Sequence, residues 1–352
     1  LEIDHLAYAA RAYKRIGDVA AVRRNFELAI SMSSDSSSWG LPLLQGEYGR
    51  FLRKQGDLVL ARKYLEEAAA SEEGFPSAMA SSELVTVLLG VGDTSEALSV
   101  AREIHSLAEY NDDDRLKNKA TYGIAKALIA MGNFGAALAS LDSVDFGEFS
   151  SVKHKVRVDI LRSSALIGLS RGPEALVILE RAIPMLSKFK LWESLGDALV
   201  AKSECVVMEF EALEALAQAV DAYSRADLDA AVCSVQVRLA ILHAGSGNWE
   251  QVDHWAGLVT SNVLQMFSVS YTWALGLAAL AKAKLGSFDV ALDLAGQVLG
   301  GIDVPELVSG YAYHAQALAV GGVKGKNLAV KAMKAYLASG AVELATEVSA
   351  LV

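Results

Sequence analysis

Cysteine and proline are scarce in this sequence. Its 352 residues include two cysteines and five prolines. Two cysteines cannot build a disulfide scaffold, and such sparse use is typical of a reducing compartment, so we expect an intracellular protein, cytoplasmic or nuclear. The two cysteines, Cys205 and Cys233, stand far apart and are expected to be small buried apolar side chains.

Positive charge is also in short supply. Lys and Arg number 32 against 42 Asp and Glu, which gives a formal net charge of −10. A protein that binds nucleic acid directly neutralises phosphates with a basic face, so this balance argues against that class of protein.

Patterns that carry catalysis or metal binding are missing as well. The six histidines form no His-Glu-x-x-His pair, and His243 is expected to be a satisfied core histidine. The acidic run 112–114 lacks the glycine and glutamate of a calcium loop and fits a helix start instead. The stretch 321–326 lacks the first glycine and the Ser or Thr of a phosphate loop. We therefore predict a protein that is not an enzyme and needs no metal or cofactor.

Apolar residues dominate what is present. The sequence is 53% hydrophobic and 21% charged, which excludes intrinsic disorder and allows a large core. The stretch from Trp255 to Ala281 holds no charged residue and is long enough to cross a bilayer. Polar residues such as Ser261, Asn262 and Gln265 cluster in its middle, however. We therefore predict two buried helices joined by a turn, and no membrane association.

A glycine followed by Asp or Asn recurs along the chain. These glycines are Gly17, Gly56, Gly92, Gly132 and Gly247, with Gly286-Ser287 as a weakened copy. The gaps between them are 39, 36, 40, 115 and 39 residues. The long gap corresponds to three periods, so two units between Gly132 and Gly247 have lost their glycine. Glycine adopts the left-handed conformation that ends a helix, and the Asp or Asn after it can cap the next helix.

Each repeat is predicted to be an antiparallel pair of helices. Around Gly132, apolar residues recur at spacings of three and four, with Ile124 and Leu128 before the turn and Leu138 and Leu141 after it. A small residue that lets two helices approach closely stands five residues after the turn. The residues in question are Ala61, Ala97, Ala137 and Ala291.

This pattern resembles the tetratricopeptide repeat, over nearly the whole chain. The matching residues in the unit around Gly56 are Gly49, Leu52, Ala61, Leu65 and Ala68. The resemblance implies an all-α fold, an α-solenoid wound as a right-handed superhelix of about nine antiparallel helix pairs. We expect residues 1–352 to form one domain. Because the helical pattern runs to both ends, we interpret the chain as a fragment of a longer protein.

The first helix of each pair lines the inner wall in this family, and the resemblance places basic side chains there. The basic residues are Arg11, Lys14, Arg15, Arg50, Arg53 and Lys54 in the first two pairs and Lys119 and Lys126 in the fourth, where Tyr122 also lines the wall. Residues 1–63 carry ten Lys or Arg against seven Asp or Glu. A basic wall suits an acidic protein or peptide, because Arg can bind a carboxylate with two parallel hydrogen bonds. The alternative is a solvated helix face.

The carboxylate clamp with which this family holds chaperone tails is absent in its usual form. Its asparagine positions hold Arg11, Arg50, Thr86 and Lys126 in one place and Glu47 and Gly123 in the other. We therefore do not expect recognition of chaperone C-termini.

The lining turns apolar in the later pairs. Its residues there are Ile160, Ile167, Val237, Ile241, Trp273 and Leu280. An amphipathic helix or hydrophobic peptide could dock on such a wall, with Trp273 as a partner-binding residue. The alternative is tighter packing that buries the wall.

Two functions fit this architecture, since a fold alone does not decide between them. The first is a non-catalytic scaffold that binds a partner protein or peptide in the concave groove. The second is a ligand- or inhibitor-sensing domain of a larger regulator, similar to maltose-regulator-type transcriptional activators, in which binding shifts an equilibrium between resting and active forms. The sequence does not fix the oligomeric state.

Overall fold

The computed structural model describes residues 2–34, 40–71, 74–144, 152–262 and 269–352, which form nineteen α-helices and no strand. The helices are α1 (Glu2–Arg15), α2 (Val19–Ser34), α3 (Leu41–Gln55), α4 (Leu58–Ala69), α5 (Gly74–Val91), α6 (Thr94–Tyr110), α7 (Asp114–Ala130), α8 (Phe134–Asp142), α9 (Val152–Gly168), α10 (Gly172–Lys188), α11 (Trp192–Cys205), α12 (Glu209–Arg225), α13 (Asp229–Gly245), α14 (Trp249–Thr260), α15 (Val269–Lys284), α16 (Phe288–Leu299), α17 (Glu306–Val320), α18 (Gly322–Ala338) and α19 (Val342–Ser349). Nine helix pairs followed by the short α19 confirm the all-α prediction.

The turn within most pairs depends on the predicted glycine. All six repeat glycines have φ between +72° and +91°, a region that side chains rarely adopt. The residue after the glycine caps the next helix at Asp18, Asp57 and Asn248, whose side chains accept a backbone N–H three residues on. Asp93 and Asn133 make no such bond, and Asp93 pairs instead with Arg62 on α4, so the predicted cap is wrong at these two turns.

The two repeats without a turn glycine connect their two helices in different ways. Between α9 and α10, Ser170 takes the left-handed conformation itself, with φ +59°. Between α11 and α12, residues 206–208 make the connection without any positive φ. Lys190 and Asp227 are left-handed in turns that join one pair to the next. The repeat therefore persists through the region where the sequence signal fades.

Replacing Ser170 with glycine is expected to raise the free energy of unfolding by about 0.5–1 kcal/mol. A side chain in the left-handed region costs roughly 1–2 kcal/mol, and the greater freedom of glycine in the unfolded chain offsets part of the gain. Urea unfolding followed by circular dichroism measures the change. Ser143→Gly is the matched control, because Ser143 has φ −78° and should lose stability. Equal losses in both variants would contradict the prediction.

Odd- and even-numbered helices occupy different layers. The chain divides into two compact units, Leu1–Ser194 and Leu195–Val352, here called unit 1 and unit 2. In unit 1, α3 packs on α5, α5 on α7 and α7 on α9; in unit 2, α13 packs on α15 and α15 on α17. Within the described residues, successive even-numbered helices do not pack closely. Helices that touch their successors in a curved stack lie on its inner side, so the odd-numbered helices form the inner layer of each unit.

The small residues of the repeat lie where the helices approach most closely. The alanines five residues after the turn glycines, from Ala61 to Ala291, are all completely buried. The first three belong to a large apolar cluster in unit 1, and Ala291 belongs to an apolar cluster in unit 2. Each repeat thus buries its apolar faces against its neighbours, as the sequence predicts.

The long uncharged stretch belongs to two helices. α14 ends at Thr260 and α15 begins at Val269, which confirms the prediction of two helices. The predicted turn between them falls at residues 263–268, outside the described residues. Within the described part of the chain, no helix combines the length and apolarity needed to cross a membrane.

Candidate functional site

The predicted basic residues of the inner layer form ion pairs that bridge successive odd-numbered helices. Arg11 on α1 donates from Nη2 to both carboxylate oxygens of Glu47 on α3 at 2.9 Å, and from Nε to Oε2 at 3.1 Å. Arg50 Nε on α3 lies 3.1 Å from Glu83 Oε1 on α5. Arg53 Nε lies 3.2 Å from the other oxygen of Glu83. Glu83 therefore lies between two guanidinium groups.

Arg53 is the most enclosed of these arginines. Its side chain is 13% exposed, and its Nη2 also lies 3.5 Å from Oε1 of Glu193, at the start of α11. The Nε–H groups of Arg50 and Arg53 are buried and misaligned with Glu83, so neither has a hydrogen-bond acceptor among the described residues. Buried donors of this kind are costly unless water or a ligand accepts their hydrogen bonds.

Lys119 on α7 adds another cation to the same layer. Its ammonium Nζ lies 3.2 Å from the thioether Sδ of Met79 on α5, which is a weak acceptor. Burial lowers the pKa of Lys119, and the positive charges of Arg50, Arg115 and Arg157 lower it too, while Glu83 opposes them. Lys119 is thus half-buried among like charges.

The remaining predicted residues of unit 1 lie on the same helices. Tyr122 and Lys126 are half-buried one turn apart on α7, and Lys126 Nζ lies 5.2 Å from the centroid of the Tyr122 ring, a cation–π contact. Lys14 and Arg15 are exposed in the last turn of α1, and Lys54 is half-buried in the last turn of α3. Cations at these helix C-termini complement the helix dipole, which is a structural role that does not require a bound protein or peptide.

Trp273 lies in unit 2 and packs against the core. Its half-buried ring contacts two apolar clusters of that unit. Of the other apolar residues predicted to line the inner wall, Ile160, Val237 and Leu280 are buried, whereas Ile241 is 36% exposed. Packing that buries the wall is therefore the correct alternative at those three positions. The assignment of Trp273 to partner binding stays a prediction.

The carboxylates that hold the basic residues are absent from the sequence-based site. Glu47 and Glu83 each follow their arginine by about one repeat, and this spacing is a signal that could have found them. Arg157 on α9 is a further addition, whose Nε donates a long 3.4 Å hydrogen bond to Ser194 Oγ. The sequence did not predict Arg157 as an inner-layer residue, because the repeat pattern that assigns such positions is weak after Gly132.

The described residues contain no other grouping of chemical interest at this site. They include no cluster of three or more His, Cys, Asp and Glu side chains close enough to hold a metal ion. In the acidic run, Asp113 caps α7 by accepting the backbone N–H of Leu116 at 2.9 Å, as predicted for a helix start. Burial raises the pKa of both thiols, that of Cys233 to about 11.

Comparison with solved structures establishes the fold. One similar structure is a signal transduction ATPase with numerous domains and a tetratricopeptide repeat sensor, from Pyrococcus horikoshii, with a TM-score of 0.64 and 14% identity. Another is a Rap protein complexed with Competence and Sporulation Factor, with a TM-score of 0.58 and 10% identity. This chain has the tetratricopeptide-repeat fold. No family model and no curated protein matches its sequence.

The extent of these tetratricopeptide-repeat likenesses differs. Each alignment covers 99% of this chain. The first covers 55% of the ATPase, and the second covers 94% of the Rap protein. The chain thus spans about half the length of the ATPase. Structural similarity at such low sequence identity shows the fold only, so the role of the inner layer has to be argued from its own residues.

Proposed function

We propose that this tetratricopeptide-repeat protein is a non-catalytic module that binds a partner protein or peptide against the inner layer of unit 1. The observation that carries the proposal is the set of cations on α3, α7 and α9. Arg50 and Arg53 share Glu83, and Arg53 also lies near Glu193. Lys119, in contrast, lies against the Met79 thioether, and Arg157 donates to the Ser194 hydroxyl. A segment that carries carboxylates supplies the missing negative charge and the missing acceptors.

The solved relatives are compatible with this role. The Rap protein, which is similar over 99% of this chain, was crystallised as a complex with Competence and Sporulation Factor. A preformed curved surface can hold an extended or helical segment without chemical change. Since the attraction involves partly exposed charges, binding should weaken as ionic strength rises.

Reversing one charge in this layer is expected to weaken partner capture by about tenfold or more. Lys126→Glu places a carboxylate beside the predicted Tyr122 surface. Lys63→Glu is the matched control, because Lys63 also lies over a tyrosine ring, at 5.5 Å, but on the even-numbered helix α4. Immobilised protein is incubated with host lysate, and the captured proteins are quantified by mass spectrometry.

The two variants carry the same net charge, so a general electrostatic effect would reduce capture equally in both. Specific loss of one partner with Lys126→Glu supports binding at the inner layer. Retention of that partner by Lys126→Glu, or its loss with Lys63→Glu, would contradict the proposal. Circular dichroism of each variant shows whether it remains folded.

A second candidate is the sensor module of a larger regulator. It is favoured by the likeness to the ATPase with a tetratricopeptide repeat sensor, of which this chain spans about half. In that role the partner, or a small ligand, shifts an equilibrium between resting and active forms. An ATPase motif upstream and a helix-turn-helix downstream in the complete gene would support this candidate, whereas further repeats would support a scaffold.

A further inference from the structure

We infer that Lys119, together with Arg50 and Arg157, forms a subsite that binds one carboxylate of an acidic peptide. This inference rests on the proposed function and assigns a specific place to the partner's charge. The three residues come from α7, α3 and α9, all helices of the inner layer of unit 1.

The first support is the poor hydrogen bonding of these cations. Among the described residues, the acceptor for Lys119 Nζ is the Met79 thioether, at 3.2 Å. Arg157 Nε donates to Ser194 Oγ at 3.4 Å, close to the limit for a hydrogen bond. The buried Nε–H of Arg50 has no acceptor in the described chain. A carboxylate can accept several hydrogen bonds at once, which matches these donors.

The second support is the local excess of positive charge. Lys119 contacts Met79, which lies one turn before Glu83 on α5, and Glu83 contacts Arg50. Arg157 contacts Ser194, the chain neighbour of Glu193, which lies near Arg53. The positive charges of Arg50, Arg115 and Arg157 act on Lys119, and the charge of Glu83 opposes them. Glu83 is already engaged with Arg50 and Arg53. Bringing like charges together in a partly buried layer is unfavourable unless an anion compensates them.

The kind of anion follows from Glu83 and from the shape of the layer. Glu83 shows that this surface accommodates a carboxylate between two guanidinium groups, one oxygen toward each. The helices α3, α5, α7 and α9 pack each on the next, so a peptide can lie across several of them. Glu83 should then compete with the peptide for Arg50, so removing its charge should strengthen peptide binding.

The test uses a fluorescein-labelled hexaglutamate peptide and the complete chain. Fluorescence anisotropy at low ionic strength gives the dissociation constant. Lys119→Met is expected to weaken binding about tenfold, the loss of one charge-assisted contact. Its thermal midpoint should not fall, because the substitution removes a half-buried cation and keeps an unbranched side chain. Lys63→Met on α4 is the matched control and should bind like the original protein.

Two further measurements make the outcome decisive. Glu83→Gln is expected to tighten hexaglutamate binding severalfold, and inorganic phosphate at equal ionic strength should not displace the peptide more effectively than acetate. Equal affinity of Lys119→Met and Lys63→Met would overturn the subsite, as would weaker binding by Glu83→Gln or preferential displacement by phosphate. Failure of the original protein to bind hexaglutamate would also overturn it. The proposed function would survive any of these results if the lysate partner were still lost with Lys126→Glu alone.

Discussion

Lowering the pH from 7 to 5 is expected to reduce the stability of this protein by roughly 2 kcal/mol through one buried histidine, His314. The side chain is 1% exposed, and its Nδ1 lies 3.3 Å from the hydroxyl oxygen of Tyr336. The Tyr336 ring stands edge-on to the imidazole, with centroids 6.0 Å apart. No solvent can hydrate a charge at this depth.

The surroundings of His314 favour its neutral form. Burial lowers its pKa from 6.5 to about 4, and the positive charge of Lys284 acts in the same direction. Glu347 opposes this effect, but it is already paired with Lys284. Tyr311, whose pKa is raised by burial, packs edge-on against Tyr336 and closes the site further.

The sign of the pH dependence follows from this lowered pKa. In the unfolded chain the histidine takes up a proton below about pH 6.5, whereas in the folded protein it does so only near pH 4. The stability that comes from the neutral imidazole is therefore complete above pH 6.5 and is lost as the pH falls toward 4. The complete loss corresponds to about 3 kcal/mol.

Urea unfolding between pH 7 and pH 5 measures this contribution. Other groups also titrate in that range, so the test is the difference between the original protein and His314→Gln, whose neutral amide can still bond to Tyr336. We expect the variant to show a pH dependence smaller by roughly 2 kcal/mol. His5→Gln is the control, since His5 is exposed on α1. Identical pH dependence in the original protein and in His314→Gln would disprove the assignment.

The histidines also show how far the sequence predicts the core. The repeat register places His243 among packing residues, yet it is half-buried, and burial lowers its pKa without fully enclosing it. The completely buried histidine, His314, lies in the last full repeat, whose turn at Gly321 and Gly322 departs from the Gly-Asp pattern. A register derived from turn glycines is least precise where the turn itself has changed.

The turns themselves divide in the same way. The six glycine turns were predictable because a left-handed residue is needed at a fixed place and glycine adopts that conformation without strain. Ser170 and Lys190 adopt it as well, against their own preference, because the packed helices on either side fix the direction of the chain; Asp227 adopts it too, and aspartate tolerates it better. At these positions tertiary packing, and not the residue type, determines the turn, so the turn could not be predicted from the local sequence.

The charged inner layer was predictable only in part. Helical spacing places Arg11, Arg50 and Arg53 on one face of their helices, and the structure brings them to the inner layer. Their carboxylate partners lie on the next odd-numbered helix, about one repeat away in sequence. Pairing across that distance depends on how two helix pairs stack, which the periodicity of a single helix does not contain.

Gly49→Val is expected to destabilise the protein by about 2–3 kcal/mol, although valine is the better helix former by a few tenths of a kcal/mol. Gly49 is buried in the middle of α3, where the repeat pattern requires a small residue. A Cβ at this position would lie 2.6 Å from Leu65 Cγ and 3.3 Å from the carbonyl oxygen of Ala61, both on α4. Leu65 is completely buried and cannot move aside without disturbing the core.

The size of the effect separates this close contact from a general intolerance of helix substitutions. Gly135→Val is the matched control, because Gly135 lies in α8 with nothing within 4 Å of the position of an added Cβ. Its stability should stay within about 0.5 kcal/mol of the original protein, as for most surface substitutions. Urea unfolding of both variants, followed by circular dichroism, compares them directly.

A double substitution shows whether Leu65 is the group that resists the added side chain. Leu65→Ala alone should cost about 2–5 kcal/mol, because it removes buried methyl groups and leaves a cavity. In Gly49→Val/Leu65→Ala the valine fills part of that cavity, so the combined loss should be smaller than the sum of the single losses by about 1 kcal/mol or more. Additive losses would mean that the resistance comes from the backbone of α4, at Ala61, and that the two helices cannot separate at this point whatever side chain faces Gly49.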